Sequence, residues 1–474
     1  MLNKDTELYK NFLYKYLEKN NVPTSDQVKK IFEKTEEELS HRRKLLDIYQ
    51  GNEAKIYKKE GANALKVCTK MNFNYHKVIV NQAVDYIAGT PIGYQYEDTS
   101  VEDFIEDFQR YNDLDILNRE TLEDLGACGA SYRLMYIEKG TGKESCINLP
   151  PDEIVTLDNK NEIPEYAFHF YTELDDEGNK EIQVCDFYDD KFIYRFEGKE
   201  FELIDKKRHL FQVMPVIGVY NNKERKEDSF DAKVLIDEYN EIVSTHQDEI
   251  MEFRNAYMVI YGAKLDTEAY SKIIQTGCFE VPENGKVQFL TKEMDVEAVS
   301  TQREVLRNSI FELTDTVDMQ KFSDSSESGE SRKWKLIILE NRARKKIQAM
   351  KTFLKQMFRV LESSKKSPSF IPHNIDFVFN RSLPIDERYI GECLNLYKGI
   401  VSLKTLLSRS PYVADVDREL EQILKEREMG LWGERDYGDD LYKKGSEPDP
   451  TDTSKKVNKV KGVDTTIKDT TSTK

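Results

Sequence analysis

The sequence predicts an α+β fold, in which helices and strands occupy different stretches of the chain. Apolar residues recur at helical spacing before residue 125, alternate with a period of two between residues 130 and 219, and return to helical spacing from residue 231. Residues 332–362 contain neither Gly nor Pro, which predicts one long helix. Helices, then strands, then helices again are typical of α+β proteins. The 474 residues suffice for roughly two to four structural units.

Helices are expected throughout the first 50 residues. The segment from Thr24 to Gln27, directly after Pro23, has the pattern of a capping box, in which the Gln side chain reaches back to the N-cap residue. The helix that starts there is expected to stop near Gly51.

Another helix is expected over residues 74–88, where Gly89 and Pro91 supply a C-cap and a breaker. The residues that share its apolar face are Tyr75, Val78, Ile79, Ala83, Tyr86 and Ile87. Residues 97–124 then contain 11 acidic and 2 basic residues together with apolar residues at helical spacing, which predicts a pair of acidic amphipathic helices.

Short runs of alternating apolar and polar residues predict an antiparallel, partly solvated sheet between residues 130 and 219. The clearest strands are residues 132–136, 181–185, 192–196 and 200–204. They are separated by turns at residues 139–142, 175–178 and 197–198, each of which contains Gly.

The second half of the chain is expected to be mainly helical. One helix begins at Asp231, and its apolar face contains Leu235, Tyr239, Ile242, His246, Ile250 and Phe253. A small α/β insertion follows at residues 257–290, with a strand at 258–261, a short helix at 268–275 and a hairpin across 282–285. The later expected elements are a helix at 301–317, a polar segment at 320–329, the long helix, a strand at 375–379 and helices at 386–398 and 415–429. From about Lys443 the composition is typical of a disordered tail.

The long helix carries two patterns at once. Its near-heptad apolar seam consists of Leu336, Leu339, Ala343, Ile347, Met350, Leu354, Met357 and Leu361. Ten basic residues and one acidic residue lie between Arg332 and Arg359. Those nearest the N-terminus of the helix are Arg332, Lys333, Lys335, Arg342, Arg344, Lys345 and Lys346. Two interpretations of this basic face stay open: contact with nucleic acid, or pairing with carboxylates of a neighbouring subunit.

The composition of the chain disfavours several classes of function. The formal net charge of −17 argues against tight binding of DNA, because such binding depends on Lys and Arg that neutralise phosphates. It is compatible with DNA that slides past an acidic surface. Six widely scattered cysteines predict a reduced cytosolic environment without disulfides. Neither a signal peptide nor a stretch of about 18 apolar residues occurs, so no membrane contact is expected.

No catalytic, metal or cofactor site is expected. The segment from Gly140 to Lys143 superficially resembles a phosphate loop, but Ile137 and Glu144 stand where that motif needs Gly and Ser or Thr, so a hairpin is favoured. The six His residues form no metal-binding pattern, and His246 is interpreted as a core or interface residue. No GxSxG motif activates the serines of the polar segment, and the numerous acidic pairs are interpreted as solvated faces.

Four separated segments resemble the portal, or head–tail connector, family of tailed phages that infect Gram-positive bacteria. They are residues 74–92, ending in Gly89-Thr-Pro-Ile92; residues 214–249, with Met214-Pro-Val-Ile217 and Leu235-Ile-Asp-Glu-Tyr-Asn240; residues 325–340, with Ser325-Ser-Glu-Ser-Gly329 and Leu339-Glu340; and residues 399–405, with Gly399-Ile-Val-Ser402 and Lys404-Thr405. Their order and spacing carry the resemblance, which spans about residues 40–430. The family typically has a small residue after the Ser-Gly pair, whereas this chain has Glu330.

The resemblance implies a portal-like architecture. Residues 1–230 would form a wing of helices and antiparallel strands, 231–256 and 301–318 two stem helices, 257–300 a small α/β clip, and 319–331 a channel loop. Residues 332–385 would form a long kinked helix and its return to the wing, 386–442 a helical crown, and 443–474 a disordered tail.

The resemblance also implies a function. Family members form closed rings, twelve-fold in the virion, that lie at one capsid vertex and conduct double-stranded DNA during packaging, retention and ejection. Other implied partners are the large terminase, the head–tail adaptor, and the scaffold and major capsid proteins. The location would be the host cytoplasm during assembly and the virion afterwards. A terminase subunit or a head–tail adaptor stays open as the alternative, and the missing phosphate loop disfavours the terminase.

Two sets of site residues follow from the resemblance. The residues of the channel loop nearest DNA would be Gln320, Lys321, Phe322, Ser323, Asp324, Ser325 and Ser326. The partner-binding residues of the clip would be Asp266, Glu268, Lys272, Glu283, Asn284 and Lys286.

Overall fold

The computed structural model of the chain describes residues 4–60, 68–175, 177–253, 257–261, 285–290, 296–322, 329–364, 367–380, 395–397, 399–407, 413 and 416–429. Internal contacts divide the chain into two units, Met1–Leu383 and Pro384–Lys474. Most strands of the described residues lie between residues 130 and 220, with helices before and after them, which confirms the predicted mixture of helix and sheet.

The first two helices are α1 (Lys4–Asn20) and α2 (Ser25–Gln50). The predicted capping box is present, since the Thr24 hydroxyl accepts from the backbone N–H of Gln27 while Oε1 of Gln27 accepts from the N–H of Thr24. Gly51 ends α2 in the left-handed conformation with φ of 88°. Both ends of this helix therefore lie where the sequence predicts them.

Three helices follow: α3 (Tyr75–Ala88), α4 (Thr99–Tyr111) and α5 (Leu114–Cys128). The last two are the predicted acidic pair. Gly89 is the predicted C-cap of α3, with φ of −69°. The prediction for the apolar face of α3 is wrong in one detail, because Val78 is 47% exposed. Because α3 lies between two core clusters, its buried surface is wider than one face of the helix. This surface includes Val80 and Val84.

The strands between residues 130 and 220 form two larger sheets instead of the single one predicted. The first nine strands of the chain are β1 (Gly93–Gln95), which lies outside both sheets, and β2 (Ala130–Ile137), β3 (Glu144–Leu149), β4 (Ile154–Asp158), β5 (Pro164–Leu174), β6 (Glu181–Tyr188), β7 (Phe192–Glu197), β8 (Glu202–Arg208) and β9 (Val216–Tyr220). One antiparallel sheet has the order β3-β2-β9 and the other β4-β5-β6-β7-β8. The break falls at Pro150 and Pro151, which have no N–H to continue a strand ladder. Helices α1 and α2 cover one face of the larger sheet, where Leu13 and Ile31 share a core with Phe168.

The remaining elements of this unit are α6 (Lys233–Phe253), β10 (Tyr257–Tyr261), β11 (Lys286–Leu290), α7 (Val296–Leu313), α8 (Gly329–Glu362) and β12 (Asp376–Val378). Strand β10 pairs antiparallel with β11, and β12 pairs antiparallel with β1. The predicted short helix at 268–275 and the hairpin turn at 282–285 fall largely outside the described residues.

The buried face of α6 differs from the predicted one. Ile250 is exposed, whereas Asn240 and Ser244 are buried because an extended segment lies against them. Oδ1 of Asn240 accepts from the N–H of Phe73 at 2.9 Å, and the Ser244 hydroxyl accepts from the N–H of Met71 at 2.9 Å. Hydrogen-bonded polar residues of α6 thus form part of its buried surface, where apolar periodicity alone predicts other residues.

Helix α8 contributes many residues to the largest core cluster. It has 34 residues and a length of about 50 Å. The predicted seam is confirmed, since the buried residues of α8 include Leu339, Ala343, Ile347, Met350, Leu354, Met357 and Leu361. They pack in one cluster with residues of α3, α4, α5 and β2.

The second unit contains α9 (Leu403–Leu407) and α10 (Val416–Glu428), and α10 confirms the helix predicted at 415–429. Most of the predicted helix at 386–398 and the whole predicted tail fall outside the described residues. Among the helices of the described ranges, none is long and apolar enough to cross a membrane.

Candidate functional site

The predicted channel loop (residues 319–331) begins with a short helical turn. Residues Met319–Phe322 form one turn of 3-10 helix, which contains Gln320, Lys321 and Phe322. Gln320 is exposed, and its N–H donates to Oδ1 of Asp318 at 3.0 Å. The other predicted channel residues, Ser323, Asp324, Ser325 and Ser326, lie outside the described residues.

We term residues 314–318, just before this loop, the loop base, and its last two residues are held by the side chains of Arg307 and Gln82. The Arg307 guanidinium donates to both carboxylate oxygens of Asp318, with Nε–Oδ2 of 2.7 Å and Nη2–Oδ1 of 2.8 Å. This hydrogen bonding raises the pKa of Arg307. The Gln82 amide on α3 donates from Nε2 to the Val317 carbonyl at 2.7 Å and accepts at Oε1 from the Val317 N–H at 2.8 Å. Sequence reasoning missed Gln82, because 235 residues separate it from Val317 and no local pattern links them.

Arg342 and Lys346 of the predicted basic face are buried inside the chain. Both contact Oδ2 of Asp228, with Nη2 of Arg342 at 2.8 Å and Nζ of Lys346 at 2.9 Å. Asn221 connects the group, since its Nδ2 donates to Asp228 at 2.9 Å and its Oδ1 accepts from Lys346 at 3.0 Å. Arg342 and Lys346 are four residues apart on α8 and therefore lie on the same side of the helix. This side is next to Ala343 of the apolar seam, so both cations face the interior. This burial corrects their predicted role as contacts for DNA or a neighbouring subunit.

The electrostatics of this cluster favour an ionised Asp228. Burial alone would raise the pKa of Asp228, but the charges of Lys346 and Arg342 and the hydrogen bonds lower it overall. Burial lowers the pKa of Lys346, and the attraction of Asp228 offsets only part of this effect. Arg342 also donates to the carbonyls of Thr314 at 2.9 Å and Ile79 at 3.1 Å. These contacts meet the requirement that a buried charge be paired and hydrogen-bonded.

The exposed part of the basic face consists of other residues of α8. Arg344 is 68% exposed and bonds Glu340 at 3.4 Å one turn earlier on the helix. Lys345 is exposed beside it, and so are Lys351, Lys355 and Arg359 further along. The predicted residues Arg332, Lys333 and Lys335 lie in the first turns of α8.

One predicted clip residue lies within the described residues. Lys286 begins β11, is exposed, and pairs in register with Tyr261 of β10. The others, Asp266, Glu268, Lys272, Glu283 and Asn284, lie outside the described residues.

Within the ranges given above, no group of three or more His, Cys, Asp or Glu is placed to hold a metal ion. Gly140 and Gly142 both have positive φ in the turn that joins β2 to β3, which confirms the hairpin interpretation. Burial raises the pKa of the Cys128 thiol to about 12 and of the Cys146 thiol to about 11, so neither is a thiolate at neutral pH.

Comparison with known proteins gives a family that fits this arrangement. Residues 28–430 match the family model for phage portal protein, SPP1 Gp6-like. The chain belongs to the phage portal protein family. The portal protein of Bacillus phage SPP1 is 22% identical to it over 396 residues, which cover 78% of each chain.

Membership of this family gives the chain a structural role as a phage portal protein. Portal proteins form oligomeric rings and interact with DNA and with other phage proteins. The matched region runs from the first turn of α2 into the last residues described after α10, so it contains the loop base and the buried Asp228 cluster.

Proposed function

We propose that twelve copies of this portal protein close into a ring at one capsid vertex and conduct double-stranded DNA during packaging, retention and ejection. The family match carries the proposal, because it covers α6, the β10–β11 pair, α7 and α8 in one span. In this proposal residues 1–230 form the wing, 231–256 and 301–318 the stem, 257–300 the clip, and 319–331 the channel loop. Residues 332–385 contain a long kinked helix, 386–442 form the crown, and 443–474 form a tail.

The exposed apolar residues of the two stem helices support ring formation. On α6, Val234 is 69% exposed, and on α7, Val305 is 57% and Leu313 is 53% exposed. Apolar surface of this kind usually marks a contact with another protein. A ring requires two different surfaces that meet head to tail and close, and a two-helix stem offers one to each neighbour.

The charge of the chain supports a channel through which DNA slides. At −17 per subunit, a ring repels the phosphate backbone over most of its surface. Phosphate contacts are then confined to a few cations, and Lys321 in the first turn of the channel loop is the one nearest its start. Weak and few contacts suit DNA that must move in both directions.

The clip is the proposed docking site for the large terminase during packaging and for the head–tail adaptor afterwards. The β10–β11 ladder connects the C-terminal end of α6 to the N-terminal end of α7, so it forms the tip of the stem hairpin along the chain. The wing and crown are the proposed contacts for scaffold and major capsid proteins. Assembly would take place in the host cytoplasm, before the ring becomes part of the virion.

Electron microscopy of the purified full-length chain tests this function. We expect annular particles with twelve-fold symmetry and an open central hole, and by mass photometry a particle of twelve times 55.4 kDa. A chain that stays monomeric in both measurements contradicts the proposal. Particles without a hole would favour a head–tail adaptor, and ATP hydrolysis would favour a terminase subunit.

A further inference from the structure

The loop base connects the end of α7 to the channel loop. Helix α7 ends in a Schellman turn, in which Asp315 has φ of 50° and Thr316 donates its N–H to the Phe311 carbonyl at 3.0 Å. The Asp315 N–H donates to the Glu312 carbonyl at 3.3 Å. Beyond this turn no strand or helix fixes the chain until the 3-10 turn at residue 319, so side-chain contacts decide its direction.

Gln82 makes the most specific of these contacts. Its neutral amide accepts from the N–H of Val317 and donates to the carbonyl of the same residue, as the backbone of a neighbouring β-strand would. The Val317 side chain is 5% exposed and packs in the same core cluster as α3 and α8. Its backbone groups therefore need partners within the protein, and Gln82 supplies both.

Arg307 connects α7 to the next residue of the loop base. Its two hydrogen bonds to Asp318 form the planar fork that Arg makes with carboxylates. Asp318 also accepts the N–H of Gln320, which belongs to the channel loop. The contact thus continues from the stem helix into the loop.

Arg342 connects the start of the loop base to two other elements. One nitrogen, Nη1, donates to the Thr314 carbonyl, and the other, Nη2, donates to the Ile79 carbonyl on α3 and to Asp228. Ile79 lies one turn before Gln82 on α3. Helix α8 therefore holds the start of the loop base, while α3 and α7 hold its end.

We propose that Gln82, Arg307 and Arg342 are positioning residues that set the direction in which the channel loop leaves the stem. The inference rests on the proposed function, because the direction matters only if residues 319–331 line a DNA channel. Each side chain comes from a different helix, α3, α7 or α8, so contacts from three helices fix the loop base. In a ring this geometry repeats in every subunit and places the loop bases at equal distance from the axis.

Replacing Gln82 tests the proposal in the assembled full-length protein. In Gln82→Leu we expect hydrogen exchange over residues 314–322, followed by mass spectrometry, to be at least about tenfold faster. Trypsin cleavage after Lys321 is expected to accelerate by a similar factor relative to other sites. Gln82→Glu keeps the acceptor for the Val317 N–H but loses the donor for the Val317 carbonyl. We therefore expect its exchange rate to lie between those of the parent protein and of Gln82→Leu.

A matched control separates positioning from general stability. Gln109→Leu is the same substitution on α4, where the amide bonds the exposed Asp115 carboxylate at 3.1 Å, and it is expected to leave residues 314–322 unchanged. If Gln82→Leu behaves like this control, the proposal is wrong. Equal acceleration throughout α3 and α7 also overturns it, because that result indicates destabilisation without a specific effect on the loop.

A second variant keeps the test decisive if Gln82→Leu does not fold. Arg307→Lys retains the charge but loses the two-bonded fork, and the same faster exchange over residues 314–322 is expected. Failure of the proposed function is distinguishable, because a chain that forms no rings still reports the exchange rate of its loop base. Ring formation and protection of the loop base are therefore judged separately.

Discussion

The Asp228 carboxylate can lie against α5 because Gly126 has no side chain. A Cβ on Gly126 would lie 2.7 Å from Cγ1 of Val80 and 2.9 Å from Oδ2 of Asp228. The Asp228 N–H also donates to the Gly126 carbonyl at 2.9 Å. The backbone of α5 thus approaches the buried ion cluster so closely that a larger residue would displace the carboxylate.

Removing the charge of Asp228 is expected to destabilise the fold strongly. Asp228→Asn leaves Arg342 and Lys346 buried without an anion, which typically costs about 3–5 kcal/mol. Urea denaturation at pH 7 measures the change. The control is Asp85→Asn, which removes a surface pair with Arg119, worth about 1 kcal/mol or less. Equal midpoints for the two variants would contradict the assignment of Asp228 as the centre of the cluster.

The same cluster predicts how stability depends on pH. The folded pKa of Asp228 is below its unfolded value, so its contribution is complete above about pH 4 and is lost as the pH falls further. The folded pKa of Lys346 is also lowered, which means that the unfolded chain binds more protons and that stability rises with pH toward about 10. In Asp228→Asn the pKa of Lys346 falls further, so we expect a steeper rise of the urea midpoint between pH 7 and pH 9 than in the parent. An identical slope would show that the two groups are not coupled.

At the scale of elements, local patterns predict well and long-range pairing does not. The capping box at Thr24 and the apolar seam of α8 depend on residues a few positions apart, and both are present. Strand β4 was missed because four of its five residues are buried, so its sequence has no alternation to detect. Two sheets were expected to be one, since only pairing between distant strands distinguishes them.

The capping box offers a direct test of the α2 boundary. Thr24→Ala removes the acceptor for the Gln27 N–H and is expected to cost about 1 kcal/mol locally. Hydrogen exchange of the first turn of α2 should accelerate about fivefold, while the last turn before Gly51 keeps its rate. Thr24→Ser retains the acceptor and serves as the control. Unchanged exchange in Thr24→Ala would show that packing against the larger sheet holds this end of the helix.

At the scale of the molecule, the basic residues of α8 separate into an inner and an outer group. Their spacing along the sequence is compatible with one basic face, and only the fold shows that Arg342 and Lys346 belong to the interior. The Asp228 partner lies 114 residues from Arg342, so no local pattern reveals the pairing. The outer group, which includes Arg344 and Lys345, is the part of the face available to a partner.

We expect this outer group to meet carboxylates of a second copy, because a chain with a net charge of −17 presents mostly acidic surface to its neighbours. The double variant Arg344→Glu, Lys345→Glu should then raise the concentration at which half of the protein is assembled by about tenfold, or about 1.4 kcal/mol, at low salt. Mass photometry over a dilution series measures it. About 0.5 M salt should reduce the difference, since screening weakens exposed pairs. The variant Lys206→Glu, Lys207→Glu on β8 makes the same change in charge and is the control. Normal assembly of the α8 variant with altered passage of DNA would instead place this face in the channel.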